Sequence, residues 1–331
     1  MARLASRQGK SQKMISADFE KAEEWTALKP GDIIDLIAPG SGCTRDDLKK
    51  AAQFVKSLGY KPRYSRDIFS KKTPILASSD ENRMKLLKQA LTAQDSKAIW
   101  CMRGGYGSLR LLPELTKLSR PRQAKLLIGY SDITTLHSYV NFFWRWPSLH
   151  GPLLDRFAND RHKPQELKQM KGILNGHIPE VAFSTLMPLN KAATKPQQLR
   201  STIVGGNLAV LQSSLATPWQ VNPENKILFL EDLGEKAHRV DRMLTQMTQA
   251  GYFSKAKAVV FGDILYSVPK DLALIWKLAI KPWAESQNIP VFKGLPSGHG
   301  ELQMPLPFFT PASLEIGRER SQLIVRTGSK E

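Results

Sequence analysis

A chain of 331 residues, 41% of them hydrophobic, is long enough for two domains around a well-buried core. Its two cysteines, Cys43 and Cys101, exclude a disulfide scaffold and Cys-based zinc spacing, and they suit a reducing compartment. The formal charge of +18 argues only weakly for nucleic acid, because lysines and arginines are scattered beside acids rather than gathered among stacking aromatics. A solvated basic surface, or a field that draws in a substrate with several carboxylates, accounts for it as well.

Residues 1–28 are basic and polar and lack the apolar segment of a secretory signal, so they read as an N-terminal extension. No run approaches the roughly 20 apolar residues that cross a bilayer, so no membrane partner is expected. From 29 to 165 strand and helix alternate. IIDLIAP (33–39) is a buried strand, followed by a PGSG turn and an amphipathic helix closing at Gly59. SSDENRMKLLKQALTA is a helix with Ser78 and Glu81 at capping-box spacing. KAIWCM (97–102) and AKLLIGY (124–130) are further buried strands, each leading through a turn into a helix. This alternation predicts a parallel sheet covered on both faces, with ligands gathering at the carboxyl ends of its strands.

Residues 166–200, polar and interrupted by proline, read as a linker. The second domain, 201–331, begins with the strands STIVGGN and KILFLED. HRVDRMLTQMTQAG is a helix ended by Gly251, AKAVVFGDI is a buried strand, and KDLALIWKLAIKPWAESQ is a helix broken or kinked at Pro282. Short alternating runs then give a β-rich end.

Four segments could carry chemistry. In IGYSDITTLHSYV, a strand ends at Ser131 and a helix begins at once. The hydroxyl therefore stands at a strand-to-helix turn, as a nucleophile near helix amides or as a simple N-cap. CMRGGYGS (101–108) places a glycine loop where an amide can meet an oxyanion or an anion, or where the chain merely turns. It has neither P-loop nor dinucleotide-binding spacing. Arg103 is a candidate to pair a substrate carboxylate, or an ordinary surface arginine. KILFLEDLGEKAHRVDRML sets Glu231 and Asp232 at a strand end, where a carboxylate can orient a histidine or cap a helix. LPSGHGE holds His299 between glycines. His150 in SLHGPLLD competes with it as a general base, whereas His137 is expected to be structural and His162 and His177 to lie on the surface. No histidine pair has metalloprotease spacing, so a metal site is not indicated, and a serine acyl-enzyme mechanism would require no cofactor.

RGGYG (103–107), GYSDIT (129–134), HGP (150–152), GGNL (205–208), FLEDLGE with HRVDRML, and GHG (298–300) occur in fixed order over residues 30–310. This series resembles the LD-carboxypeptidase family of serine peptidases, which includes muramoyltetrapeptide carboxypeptidases and microcin C immunity peptidases. The resemblance implies an α/β fold with a Rossmann-like N-terminal domain and a C-terminal α+β domain containing a small β-barrel. It implies Ser131 as nucleophile, His299 as base and Glu231 as its partner, in a cleft between the domains. It implies an oxyanion hole of the Asp132 amide and one from the glycine loop, carried to Gly105. His238 departs from the family pattern, where tyrosine is common.

The implied activity is cytoplasmic removal of the terminal D-alanine of murein tetrapeptide during cell-wall recycling, by a homodimer. Arg103 and Arg239 are the candidates to grip its carboxylates. One alternative is cleavage of peptidyl-nucleotide conjugates, for which Trp144 and Trp146 would stack the base. Another, motivated by charge alone, is a nucleic-acid-binding protein without activity.

Overall fold

The computed structural model describes residues 24–69 and 75–330. Most of the 1–28 extension lies outside the described residues. Residues 24–28 do not behave as a loose extension: Trp25 is fully buried, and Leu28 donates its amide to Leu174. The short strand β1 (Trp25–Thr26) pairs in parallel with β15 (Ser329–Lys330).

The expected α/β domain is built on β2 (Ile33–Ile37), β3 (Lys61–Arg63), β4 (Ser96–Cys101), β5 (Leu126–Gly129) and β6 (Ser148–His150). These strands are parallel in the order β6-β5-β4-β2-β3, and β12 (Leu306–Phe308) adds an antiparallel edge beside β6. The second domain's chain thus completes the first domain's sheet. Strand order reverses between β2 and β4, a topological switch point of the kind where such sheets bind ligands.

Helix α1 (Arg45–Ser57) opens with a capping box in which Thr44 and Asp47 satisfy each other's amides. It ends before Gly59, whose φ of +91° suits only glycine well. Helix α2 (Asp80–Thr92) is capped by Ser79, not by Ser78 as its spacing predicts. Ser78 instead accepts the Asn82 side-chain amide, so the two serines divide the work. Helix α3 (Thr134–Phe143) follows β5, and α4 (Pro164–Leu174) starts with proline at its first turn, where the missing N–H costs nothing.

The second unit is a closed seven-stranded barrel in the order β10-β11-β7-β14-β13-β8-β9. Its strands are β7 (Glu180–Pro188), β8 (Gln197–Asn207), β9 (Ile227–Leu233), β10 (Ala258–Leu265), β11 (Val291–Lys293), β13 (Pro311–Ile316) and β14 (Ser321–Arg326). The 166–200 segment is therefore not a linker, since it contains most of α4 and all of β7. Val181, Phe183 and Leu186 of β7 point into the core while the residues between them face solvent, and that polar face disguised the strand.

Helix α5 (Ala237–Gln249) packs outside the barrel. The helix expected to kink or break at Pro282 instead continues through it: a π-helical stretch at Ile275–Ile280 runs directly into Lys281–Ser286, whose first turn holds the proline. One apolar cluster runs from the sheet (Trp100, Leu126, Ile128) through Phe308 into the barrel (Phe229, Val260, Leu323). Burial of each such side chain contributes about 1.5–3 kcal/mol, so the two domains share a core rather than touching at a wet interface. No helix among the described residues is long and apolar enough to cross a membrane.

Candidate active site

Strand β5 is buried along its length and leads into Tyr130, whose backbone is extended. The next residue, Ser131, has φ +65°, a region that costs a non-glycine residue about 1–3 kcal/mol. A tight turn over Ser131–Ile133 then enters α3. Ser131 is therefore not a helix N-cap. The cap positions fall on Tyr130 and Ile133, neither with a side-chain cap bond, and a capping serine would itself be extended. The strain lifts the hydroxyl out of the sheet at a helix start, the geometry of a nucleophile elbow. Asp132 follows at the first turn, where amides lack intrahelical acceptors.

The glycine loop lies against this serine. A Cβ on Gly104 would sit 2.9 Å from Ser131 Cβ and 3.2 Å from its Oγ, so only glycine allows the approach. Gly105 follows at φ +80°, closely backed by Ser41. The loop is pinned at its C-terminal end: Ser108 N–H donates to Asp132 Oδ2 at 2.8 Å, and Arg83 donates to the Gly107 carbonyl at 2.9 Å and to that of Pro39. Burial raises the Asp132 carboxyl above its ordinary value, against the hydrogen bonding at Ser108. Arg83, only 2% exposed, was invisible in a sequence where it reads as one more surface cation of a helix.

The histidine comes from the opposite domain. Glu231, fully buried near the end of β9, faces His299 Nδ1 with its Oε2 at 2.6 Å. The His299 ring stands edge-on to Tyr130, with ring centroids 4.7 Å apart, which brings it beside the residue preceding Ser131. Burial opposes a charged imidazole, but the Glu231 carboxylate, with Asp232 and Asp263 behind it, outweighs burial and raises His299 above 6.5. Gly298, at φ +131°, makes room: a Cβ there would lie 3.1 Å from Glu231 Cβ and Oε2.

Two further carboxylates crowd the pair. Asp232, lifted to about 7 by burial and by Glu231, accepts the amides of Ala209 and Leu233, so it supports the first turn of the helix at Leu208–Ser213, which Asn207 caps, rather than capping the helix that follows it. Asp263, lifted to about 6 by burial, accepts the Gly300 amide at 3.0 Å. It escaped the sequence reading because it sits at a register irregularity of β10, between Phe261 and Ile264, and such bulges redirect side chains. The signal was present in VVFGD, an apolar strand running into a carboxylate as FLED does.

The GGN segment closes the seam between domains. Thr134 Oγ1 accepts the Asn207 amide at 3.0 Å, and a Cβ on Gly206 would fall 2.3 Å from that oxygen. Gly206→Ala is expected to destabilise the protein by about 1–3 kcal/mol, through this clash and its φ of +134°. A urea midpoint equal to wild type would show the seam to be looser than drawn.

A cavity of about 690 Å³ opens at the switch point, lined among others by Ser41, Cys43, Phe69, Arg103, Gly105 and Tyr106. Arg103 is exposed on its wall and donates to the Gly42 carbonyl at 3.3 Å. Arg239 does not line it, and its guanidinium is engaged by Glu235 one helical turn away. His150 is fully buried among Tyr130, Phe229 and Phe308, and neither ring nitrogen has a hydrogen-bond partner among the described residues. Burial, with His137 and His299 nearby, pushes it well below the ordinary value, and no carboxylate among the described residues bonds to it. His137 ties β5 to β6 through Gly129 O at 2.8 Å and Ser148 Oγ at 2.9 Å, a structural role. Trp144 and Trp146 are buried against each other in the core, out of reach of a stacking base.

Comparison with known proteins points one way. The family model described as the LD-carboxypeptidase N-terminal domain matches residues 34–151, and that of the LD-carboxypeptidase C-terminal domain matches residues 200–314. A Rickettsia conorii protein that carries a carboxypeptidase name is 36% identical, over 86% of this chain and 89% of its own. The murein tetrapeptide carboxypeptidase of Pseudomonas aeruginosa is 29% identical over 87% of this chain and 94% of its own. The structure of muramoyltetrapeptide carboxypeptidase from Oxalobacter formigenes superposes with a TM-score of 0.76 at 28% identity, covering 89% of this chain and 98% of that one. Microcin C7 self-immunity protein MccF, at 17% identity and a TM-score of 0.75 over 93% of this chain and 99% of its own, shares the fold.

Proposed function

This chain belongs to the LD-carboxypeptidase family of serine carboxypeptidases, and we propose that it removes the terminal D-alanine from murein tetrapeptide through Ser131, His299 and Glu231. The observation that carries the proposal is the strained backbone at Ser131, set beside the glycine loop and next to a tyrosine that touches the Glu231-bound imidazole. Strain of this kind persists where a site uses it.

His299 keeps its proton on Nδ1, donated in a hydrogen bond to Glu231, and takes the Ser131 proton on Nε2 as the serine oxygen attacks the carbonyl carbon before D-alanine. The amides of Asp132 and Gly105 stabilise the resulting oxyanion, at about 2.7–4 kcal/mol per donor in comparable sites. His299 then protonates the departing amine. An acyl-enzyme remains until water, activated by the same imidazole, releases the shortened peptide and frees the serine. Arg103, on the wall of the switch-point cavity, is the residue we assign to a substrate carboxylate. The place of the reaction is the cytoplasmic recycling of murein fragments.

The peptidyl-nucleotide alternative lacks an aromatic platform at Trp144 or Trp146. Turnover of muramyl tetrapeptide and of a peptidyl-adenylate analogue, measured side by side, decides between them. The proposal expects kcat/KM for D-alanine release at least about tenfold higher, an advantage of about 1.4 kcal/mol. The reverse order would transfer the assignment to the nucleotide conjugate.

A further inference from the structure

The loop that carries His299 is gripped from the other domain. Arg156, in the short helix Leu154–Ala158, and Glu166, in α4, both belong to the N-terminal half of the chain. Glu166 is fully buried and takes Arg156 in a two-pronged pair, Nε to Oε2 at 3.0 Å and Nη2 to Oε1 at 2.7 Å. Each partner also reaches the histidine loop. Glu166 Oε1 accepts the Gln303 amide at 2.7 Å, and Arg156 Nη2 donates to the carbonyls of Glu301 at 2.5 Å and Gly300 at 3.4 Å. The Gln303 side chain, itself fully buried, then accepts the Gly298 amide. Main-chain groups on both sides of His299 are therefore fixed, one through Asp263 and the others through this charged clamp.

A loop flanked by Gly298 and Gly300 has little stiffness of its own. A buried charge pair is also poor value as a source of stability, because desolvation consumes most of its attraction. Its use here lies in geometry. Arginine and carboxylate meet in a planar fork that fixes direction as well as distance. We propose that Arg156 and Glu166 are positioning residues which hold the His299 ring between Glu231 and Ser131 and thereby tie catalytic competence to the docking of the two domains. The proposal rests on the assignment of His299 and Ser131 made above.

The test uses the full chain carrying Arg156→Met, Arg156→Lys or Ser131→Ala, checked for folding by thermal unfolding, with D-alanine release from muramyl tetrapeptide as the activity. A misplacement of about 1 Å at a catalytic group costs on the order of 100-fold. Folded Arg156→Met is expected to lose about that much kcat while KM stays within about threefold. Arg156→Lys, which keeps the charge but not the fork, is expected to fall between. Titration of the His299 ring by NMR gives a readout independent of substrate, and its pKa is expected to drop in Arg156→Lys, which keeps the local charge, as contact with Glu231 loosens. If Arg156→Met fails to fold, Arg156→Lys decides by the same two readouts. Wild-type kcat and an unmoved His299 titration in a folded variant overturn the clamp, and so does a rise in KM with kcat intact. A fully active Ser131→Ala removes the catalytic reading and the clamp with it. A dead Ser131→Ala beside unaffected Arg156 variants overturns the clamp alone.

Discussion

Ser131→Ala is expected to lower kcat for D-alanine release by on the order of 10⁶-fold, the loss found when a serine hydrolase is deprived of its nucleophile. The side chain lost is small and half-buried, so the fold has little reason to change. Alanine also keeps the penalty of φ +65°, because the strain belongs to the Cβ and not to the hydroxyl. Ser131→Gly separates the two effects. It is expected to be equally inactive yet more stable by about 1 kcal/mol, since glycine adopts this backbone without cost. An inactive but stabilised glycine variant would mean that the chain holds the residue in a costly conformation for the reaction alone. Retention of more than about 1% of activity by the alanine variant would remove Ser131 as the nucleophile, and the glycine loop beside it would then need another purpose.

The sequence made this site legible because the proposed reacting groups lie where buried strands stop. Apolar runs ending in Ser131 and in Glu231 are conspicuous, and parallel sheets gather ligands at such ends. His299 stood out because a histidine between two glycines has no role in helix or strand. What escaped depends on contacts between distant residues. The Arg156–Glu166 clamp spans 137 residues to Gln303 and 145 to Glu301, and both charges read as surface residues of helices. Arg239 is a different case: it lies away from the cavity, and its guanidinium pairs locally with Glu235, four residues earlier. The fold was readable as alternating strand and helix in the first half, where the strands are buried on both faces. It was less readable in the barrel, where β7 is wetted on one side and β11 is only three residues long.

Charge at the histidine gives the second large effect. Glu231→Gln is expected to reduce kcat by about 10⁴-fold, the scale seen when an amide replaces the carboxylate of such a triad. The cause is the tautomer as much as the charge. A glutamine rotated to present its NH₂ to His299 Nδ1 would leave the proton on Nε2, where it cannot accept one from Ser131. The pH dependence should move as well. His299 must be neutral to act as base, so kcat/KM in the wild type should rise with pH and reach half its plateau above 6.5, because Glu231 raises the imidazole against burial. Without the Glu231 charge, burial is the largest influence left, and the acid limb should shift to lower pH. Asp232 and Asp263, lifted to about 7 and about 6 partly by Glu231, should ionise more readily in the variant and restrain that shift. The limb therefore reports the whole cluster and not one residue. Neutral His150, held well below the ordinary value, adds no charge in this range. A limb that stayed in place in Glu231→Gln would mean that Glu231 does not set the imidazole's charge, leaving Asp263 as the carboxylate to test next.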